Sequence, residues 1–114
     1  MKLLIILALF IIPLKAQPHP SVTLAWSWTQ GTGDPATGFH VQRATVSGGP
    51  YVVIATTSVT ALGYLDVGVM AGATYYYVIT AFNSAGDSSK SGEVACTLPF
   101  QIPGAPAGLS GSVK

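Results

Sequence analysis

Side chains that could do acid–base chemistry are few and widely spaced in this chain of 114 residues. Hydrolytic enzymes need two carboxylates, or a nucleophile beside a base, within hydrogen-bonding reach of each other. The chain has four carboxylates, each beside a turn or at an end of an expected strand, where an acid often accepts backbone hydrogen bonds: Asp34, Asp66, Asp87 and Glu93. We therefore predict no catalytic residue and expect that the chain is not an enzyme.

The two histidines, His19 and His40, lack the spacing of a metal motif such as His-x-x-x-His, and the sequence has no Cys-x-x-Cys. Residues 31–35 read Gly-Thr-Gly-Asp-Pro, but a phosphate-binding loop needs a helix after it, and residues 39–44 have the pattern of a strand. We expect no metal and no other cofactor, and we interpret His40 as a solvent-facing strand residue.

The first 16 residues have the layout of a secretory signal peptide. Lys2 precedes the apolar run 3–14, and the small residue Ala16 follows, so cleavage after Ala16 is expected. The run has about 12 residues, whereas a helix needs roughly 20 to span a bilayer, which disfavours a permanent membrane span. The alternative is an uncleaved membrane tether. The sequence predicts a secreted, extracellular protein in which residues 17–20 form a short extended leader.

Removal of residues 1–16 leaves a nearly neutral domain. Three basic residues, Arg43, Lys90 and Lys114, then stand against the four acids, a balance of 3 − 4 = −1. Because so few basic groups cannot neutralise many phosphates, nucleic-acid binding is not expected. Cys96 is the one cysteine, so an internal disulfide is excluded, and we predict that it is a buried core residue.

Residues 74–86 predict a central β-strand, because aromatic and β-branched residues fill the segment until the turn residues Asn-Ser-Ala-Gly. Side chains alternate between the two faces of a strand. Tyr75, Tyr77, Ile79 and Ala81 should therefore pack against a second sheet, and Tyr76, Val78, Thr80 and Phe82 should lie on the opposite face. A strand that is apolar on both faces is expected to have neighbours on both edges.

Shorter strand patterns surround this segment. Alternation in residues 21–28 places Val22, Leu24 and Trp26 on one face, and alternation in residues 39–44 places Phe39, Val41 and Arg43 on one face. Further strands are expected at residues 51–57, 62–65 and 93–98, the first of them at a sheet edge. Since no helical period follows the signal segment, the sequence predicts an all-β, immunoglobulin-like sandwich of two sheets over residues 21–98. The Pro/Gly-rich residues 99–114 are expected to form a mobile tail.

In this combination and order, the segments resemble a fibronectin type III domain, in the form common in bacterial secreted proteins: Val-Thr-Leu-Ala-Trp at 22–26, Gly-Phe-His-Val-Gln-Arg at 38–43, Ser-Gly-Gly-Pro-Tyr at 47–51, Tyr-Leu-Asp at 64–66 and Thr-Tyr-Tyr-Tyr-Val-Ile-Thr-Ala-Phe-Asn-Ser-Ala-Gly at 74–86. The resemblance implies that Trp26 is the core tryptophan, that Phe39 replaces the usual tyrosine, and that the hydroxyl of Tyr75 bonds to nearby backbone. Tyr77 is a fourth structural residue. The family's first strand should be short or missing, and the tail resembles the start of a following repeat.

The resemblance implies a non-catalytic spacer or protein-interaction module, as in cell adhesion. The alternative is a module that binds carbohydrate or a cell surface through exposed aromatic residues: Trp28, Tyr51, Tyr76 and Phe82. The partner would be a protein or a surface glycan. If the first strand is missing, the free edge of the strand at residues 21–28 would also permit weak self-association. One flat exposed aromatic patch would favour the binding module, and scattered aromatics would favour the spacer.

Overall fold

The computed structural model describes residues 3–10, 19–31, 33–100 and 102–113. Eight antiparallel strands and no helix make up this described part of the chain: β1 Leu3–Phe10, β2 Val22–Thr29, β3 Gly38–Ala44, β4 Val52–Ser58, β5 Gly63–Asp66, β6 Thr74–Asn83, β7 Gly86–Asp87 and β8 Val94–Thr97. One sheet has the order β1-β2-β5, and the other has the order β4-β3-β6-β7, with β8 also paired to β6. The prediction of an all-β, two-sheet sandwich is confirmed.

β6 is the central strand of the larger sheet. It pairs with β3 from Gly38 opposite Phe82 to Ala44 opposite Tyr76, and its other edge pairs with β7 and β8. The predicted inward face is confirmed, because all four of its side chains lie in the core between the sheets: Tyr75, Tyr77, Ile79 and Ala81.

The smaller sheet contributes Val22, Leu24 and Trp26 from β2 to the same core. The indole of Trp26 meets the ring of Phe39 edge-on, with 5.6 Å between the ring centroids. Phe39 itself is fully buried. Edge-to-face aromatic pairs of this kind are favourable beyond the area that they bury. The two sheets therefore meet through aromatic rings that the alternation had placed on the inner faces.

The expectation that the first strand is short or missing is wrong for the described chain. Residues 3–10, which the sequence assigns to a signal peptide, form β1 and pair antiparallel with all of β2, from Leu3 opposite Thr29 to Phe10 opposite Val22. The physical reason is that an uncharged run of aliphatic residues can satisfy the backbone groups of a neighbouring strand as well as it can form a signal segment. β1 also occupies the edge of β2 through which self-association was expected. Residues 11–18, with the expected cleavage point, lie outside the described residues.

The described residues of the tail take no part in either sheet. Residues 102–113 form no strand, and the apolar side chains of Ile102, Leu109 and Val113 are exposed. The mobility of this tail stays a prediction. Just before it, Leu98 is fully buried, and its carbonyl oxygen accepts a hydrogen bond from the Gly72 amide at 2.8 Å. The structured sandwich thus continues to Leu98.

The crossing from β5 to β6 is held by Tyr75. Its hydroxyl accepts a hydrogen bond from the Met70 amide at 3.0 Å, and Gly72 takes a φ of 79°, a left-handed conformation that glycine adopts without strain. The guanidinium of Arg43 lies 5.2 Å from the centre of the Tyr75 ring. Tyr75 therefore links the crossing to the core through both its hydroxyl and its ring.

We predict that Tyr75→Phe lowers the free energy of unfolding by about 0.5–1.5 kcal/mol, because the Met70 amide loses its acceptor. Tyr76→Phe is the matched control, since Tyr76 lies half-buried on the outer face of β6, and it should cost little. Denaturant unfolding of the two variants measures the difference. Equal losses at both positions would contradict this role of the Tyr75 hydroxyl.

Cys96 gives a second prediction. The side chain is fully buried, and burial raises the pKa of its thiol to about 11. Because the thiolate is the reactive form, we expect the native chain to react with a disulfide reagent at least about 100-fold more slowly than the unfolded chain. With an aromatic disulfide as the reagent, the measurement is the absorbance of the aromatic thiol that the reaction releases, with and without denaturant. Similar rates in the two states would show that the thiol is accessible.

Candidate functional site

Four charged residues of the described chain, Arg43, Asp66, Asp87 and Glu93, lie in three hydrogen-bonded clusters. The first is buried between the sheets around Asp66, which is 3% exposed. Arg43 Nη1 donates to both carboxylate oxygens of Asp66, at 3.1 and 2.8 Å, and the hydroxyl of Tyr77 donates to Oδ2 at 2.6 Å. The amide of Gly68 donates to Oδ1 at 3.0 Å. The pKa of Tyr77 is raised first by burial and then by the hydrogen bond from its hydroxyl to Asp66, so the hydroxyl stays a donor.

The second cluster lies on the outer face of the larger sheet. His40 Nδ1 is 2.8 Å from Asp87 Oδ2, and the hydroxyl of Thr80 donates to the same oxygen at 2.7 Å. The amide of Gln42 donates to Thr80 Oγ1 at 3.1 Å. The hydrogen bond with His40, and then that from Thr80, lower the pKa of the Asp87 carboxyl. The imidazole of His40 also stacks on the ring of Phe82, with 4.1 Å between centroids.

This second cluster refines the interpretation of His40 as a solvent-facing strand residue. Its side chain is 23% exposed and binds Asp87, which lies beside the turn after β6, as expected, with a side chain that is 40% exposed. The contact follows from the position of β6 between β3 and β7, which brings the outward residues of three strands together. In the sequence, alternation places His40, Gln42 and Thr80 on the same outer face of neighbouring strands, and this shared face was the signal that could have predicted the cluster.

The third cluster joins the turn before β4 to Glu93. The hydroxyl of Ser47 and the amide of Gly48 each donate to a different carboxylate oxygen of Glu93, both at 2.7 Å, and the hydroxyl of Tyr51 donates to it as well. The hydrogen bond from Tyr51, followed by those from Gly48 and Ser47, lowers the pKa of Glu93. Gly48 and Gly49 have φ values of 86° and 100°, which allow the turn to wrap around the carboxylate.

A small cleft of about 190 Å³ lies between the loop at residues 34–36 and the hairpin at residues 82–88. Asp34, Phe82 and Asp87 contribute to its walls. The Thr37 amide, which donates to the Phe82 carbonyl at 2.7 Å, holds the loop beside β6. The cleft is smaller than the roughly 300–1,000 Å³ of a typical small-molecule site, so it offers room for only a small polar group.

The structure does not bring the four candidate binding aromatics together. Trp28 is half-buried and meets Phe39 edge-on at 5.7 Å, so it belongs to the space between the sheets. Tyr76 and Phe82 share the outer face of β6, but six residues of strand put them about 20 Å apart. Tyr51 bonds to Glu93. These four residues therefore form no single flat stacking surface.

Among the described residues, no three His, Cys, Asp or Glu side chains are grouped closely enough to hold a metal ion. Those residues also form no helix of the length and apolarity that a membrane crossing requires.

No family model matches the chain. It is 36% identical over 95 residues to an amylopullulanase from Thermoanaerobacter thermohydrosulfuricus, an alignment that takes 79% of this chain and 6% of that enzyme. The chain therefore spans only a small part of the length of this relative. A second amylopullulanase, from Thermoanaerobacterium saccharolyticum, is 39% identical over 64 residues, which cover 56% of this chain and 5% of the enzyme.

A solved structure of an Fn3-like protein from Clostridium thermocellum is 35% identical to this chain, with a TM-score of 0.56, and the match covers 73% of this chain and 81% of that protein. The sixth fibronectin type III domain of human fibronectin type III domain containing protein 3 is 21% identical, with a TM-score of 0.62 over 76% and 79% of the two chains. This second likeness concerns the fold alone.

The Glu93 cluster predicts a pH effect. A lowered pKa in the folded chain means that the carboxylate adds stability above the pKa of an unfolded glutamate, about 4.3, and that this stability is lost as the pH falls through the folded pKa. The melting temperature should therefore fall between about pH 5 and about pH 3 more steeply in the natural chain than in Glu93→Gln. Thermal unfolding followed by circular dichroism gives both curves.

Two tyrosine variants complete this test. Tyr51→Phe should flatten the acid-side slope, because the Tyr51 hydroxyl is the main cause of the lowered pKa. Tyr76→Phe removes a hydroxyl from a residue outside the Glu93 cluster and should keep the slope of the natural chain. Parallel curves for Glu93→Gln and the natural chain would contradict the assignment.

Proposed function

The chain belongs to the fibronectin type III family, and from this premise we propose that it is a non-catalytic accessory module of a longer, exported enzyme of the amylopullulanase kind. In this role it spaces neighbouring domains or contacts a protein partner. The observation that carries the proposal is the 36% identity to a segment that makes up 6% of an amylopullulanase. A segment so short relative to the whole enzyme is of the size of one domain.

The geometry of the charged residues supports a structural role. Asp66, Asp87 and Glu93 each accept two or more hydrogen bonds from side chains or backbone of the same domain. A general acid or base must instead reach a proton of the substrate. These carboxylates are occupied in holding strands together, and this use favours a module without chemistry of its own.

The scattered aromatic residues favour the spacer over the carbohydrate-binding module. Sugar binding by stacking needs a ring face open to solvent, whereas Trp28 packs against Phe39 and Phe82 is stacked on one face by His40. In this proposal, a partner protein or surface glycan contacts only the outer surface of the module.

Export is the second part of this proposal. Residues 1–16 would act as a signal peptide and be removed after Ala16, which would place the module outside the cell. Because Leu3–Phe10 pairs with β2 before cleavage, cleavage would also open the edge of β2. Mass spectrometry of the chain recovered from the medium of an exporting host tests this step, and a product that still begins at Met1 would contradict it.

The spacer role is tested in two settings. The isolated chain should neither hydrolyse pullulan or starch nor be retarded in a gel that contains either polymer. In the amylopullulanase, deletion of the matching segment should lower the temperature of inactivation, and replacement by the corresponding residues of this chain should restore it. Hydrolysis by the isolated chain would overturn the proposal. Retardation that is lost in Phe82→Ala would establish glycan binding beside the 82–88 hairpin instead.

A further inference from the structure

The edge of the larger sheet at β4 is open. β4 pairs with β3 on one side, and no described strand pairs with its other side. An edge strand presents a row of unpaired amides and carbonyls on which another strand can add. Val52 and Val53 at the start of β4 are 64% and 49% exposed, so apolar side chains accompany these open backbone groups.

Charge, which commonly protects such an edge, is absent here. Natural proteins protect sheet edges with lysine, proline, short strands or bulges. Residues 44–65 contain no Asp, Glu, Lys, Arg or His, and β4 contains no proline. A bulge is the one protective feature that β4 does have. The register with β3 shifts between Val41 and Gln42, so Ile54 has no opposite residue. The regular part of the edge is therefore Ala55–Ser58, opposite Gly38–Val41.

We propose that this regular part of β4 is a self-association surface, on which β4 of a second copy pairs antiparallel about a two-fold axis. In a two-fold contact, residues near the axis lie opposite their own copies, so a charge there would face a like charge. The uncharged segment 44–65 removes that repulsion, and it offers nothing by which a charged partner could be selected. His40, which lies opposite Thr56 on this face, is bonded to Asp87.

The side chains of the edge suit pairing with themselves. Thr56 lies opposite His40 and Ser58 lies opposite Gly38, so both face the outer side of the sheet. Small β-branched and hydroxyl residues such as threonine make favourable cross-strand pairs with each other. Only four regular residues pair on each copy, so the buried area is well below the roughly 1,000 Å² expected of a stable interface. The association should therefore be weak and transient.

The register of such a pair is narrowly limited. Opposite residues of an antiparallel pair share a face, so the two-fold axis must pass at a residue and not between residues. With the axis at Ala55, Thr56 or Thr57, the two Thr56 side chains are directly opposite or diagonal, roughly 5–8 Å apart on the outer face. A charge at Thr56 therefore tests all three registers at once.

The experiment compares the chain of residues 1–114 with its Thr56→Lys and Thr56→Glu variants by sedimentation equilibrium from about 10 μM to about 1 mM. The apparent mass of the natural chain should rise with concentration toward twice the mass of one chain. For each variant alone, the dissociation constant should be at least about tenfold larger. An equimolar mixture of the two variants should regain the association, because opposite charges then meet. Thr60→Lys, which lies just outside β4, is the matched control and should behave like the natural chain.

The outcomes separate this proposal from other contacts. Residues 1–18 and the tail are common to every variant, so association through them would persist in both Thr56 variants and would overturn the proposal. A natural chain that stays monomeric over the whole range would overturn it too. Loss of association in both variants without recovery in the mixture would overturn the pairing of β4 with β4, because β4 would then contact a different surface of the second copy. Circular dichroism checks that each variant is folded, and Ser58→Lys, on the same face within Ala55–Ser58, provides a second charged edge if a Thr56 variant is not.

Discussion

The buried ion pair of Arg43 and Asp66 is the interaction on which the rest of the sandwich depends. Asp66 ends β5 in the smaller sheet and Arg43 lies in β3 of the larger one, so their two hydrogen bonds join the sheets. A buried carboxylate is costly unless nearly all of its lone pairs are satisfied, and Tyr77 and the Gly68 amide complete that set. The Arg43 side chain is 25% exposed, which lowers the desolvation cost of the pair.

Polar side chains also complete the far edge of β6, where the regular ladder stops between β7 and β8. The hydroxyls of Ser88 and Ser91 accept hydrogen bonds from the amides of Ala81 and Ile79 at 3.0 and 2.9 Å. The amides of the same two serines donate back to the carbonyls of Ala81 and Ile79. Each serine therefore satisfies the backbone amide and carbonyl of one β6 residue, as a paired strand residue would. This explains how β6 can be buried at its centre although β7 has only two residues.

The sequence predicted this architecture well where the signal is local. Alternation placed Tyr75 and Tyr77 on the inner face of β6, and the structure agrees. It did not predict the bonds of Asp87 to His40 or of Glu93 to Tyr51, because the partners are 47 and 42 residues apart and meet only after the strands are ordered. The segment Leu3–Phe10 was assigned to export alone for a different reason. Hydrophobicity without charge is the signature of a signal segment and equally of a buried or edge-covering strand, and periodicity cannot separate the two.

The proposed loss of residues 1–16 would give Asp66 a second importance. Before cleavage, β2 has two neighbours, β1 along its whole length and β5 along Val22–Ala25. Without β1, the pairing with β5 would be the remaining sheet contact of β2, and the first pair of that ladder joins Val22 to Asp66. The residue that anchors β5 to the larger sheet would then also anchor β2, which carries Trp26. The exported domain would therefore rely on the Arg43–Asp66 pair more heavily than the uncleaved chain does.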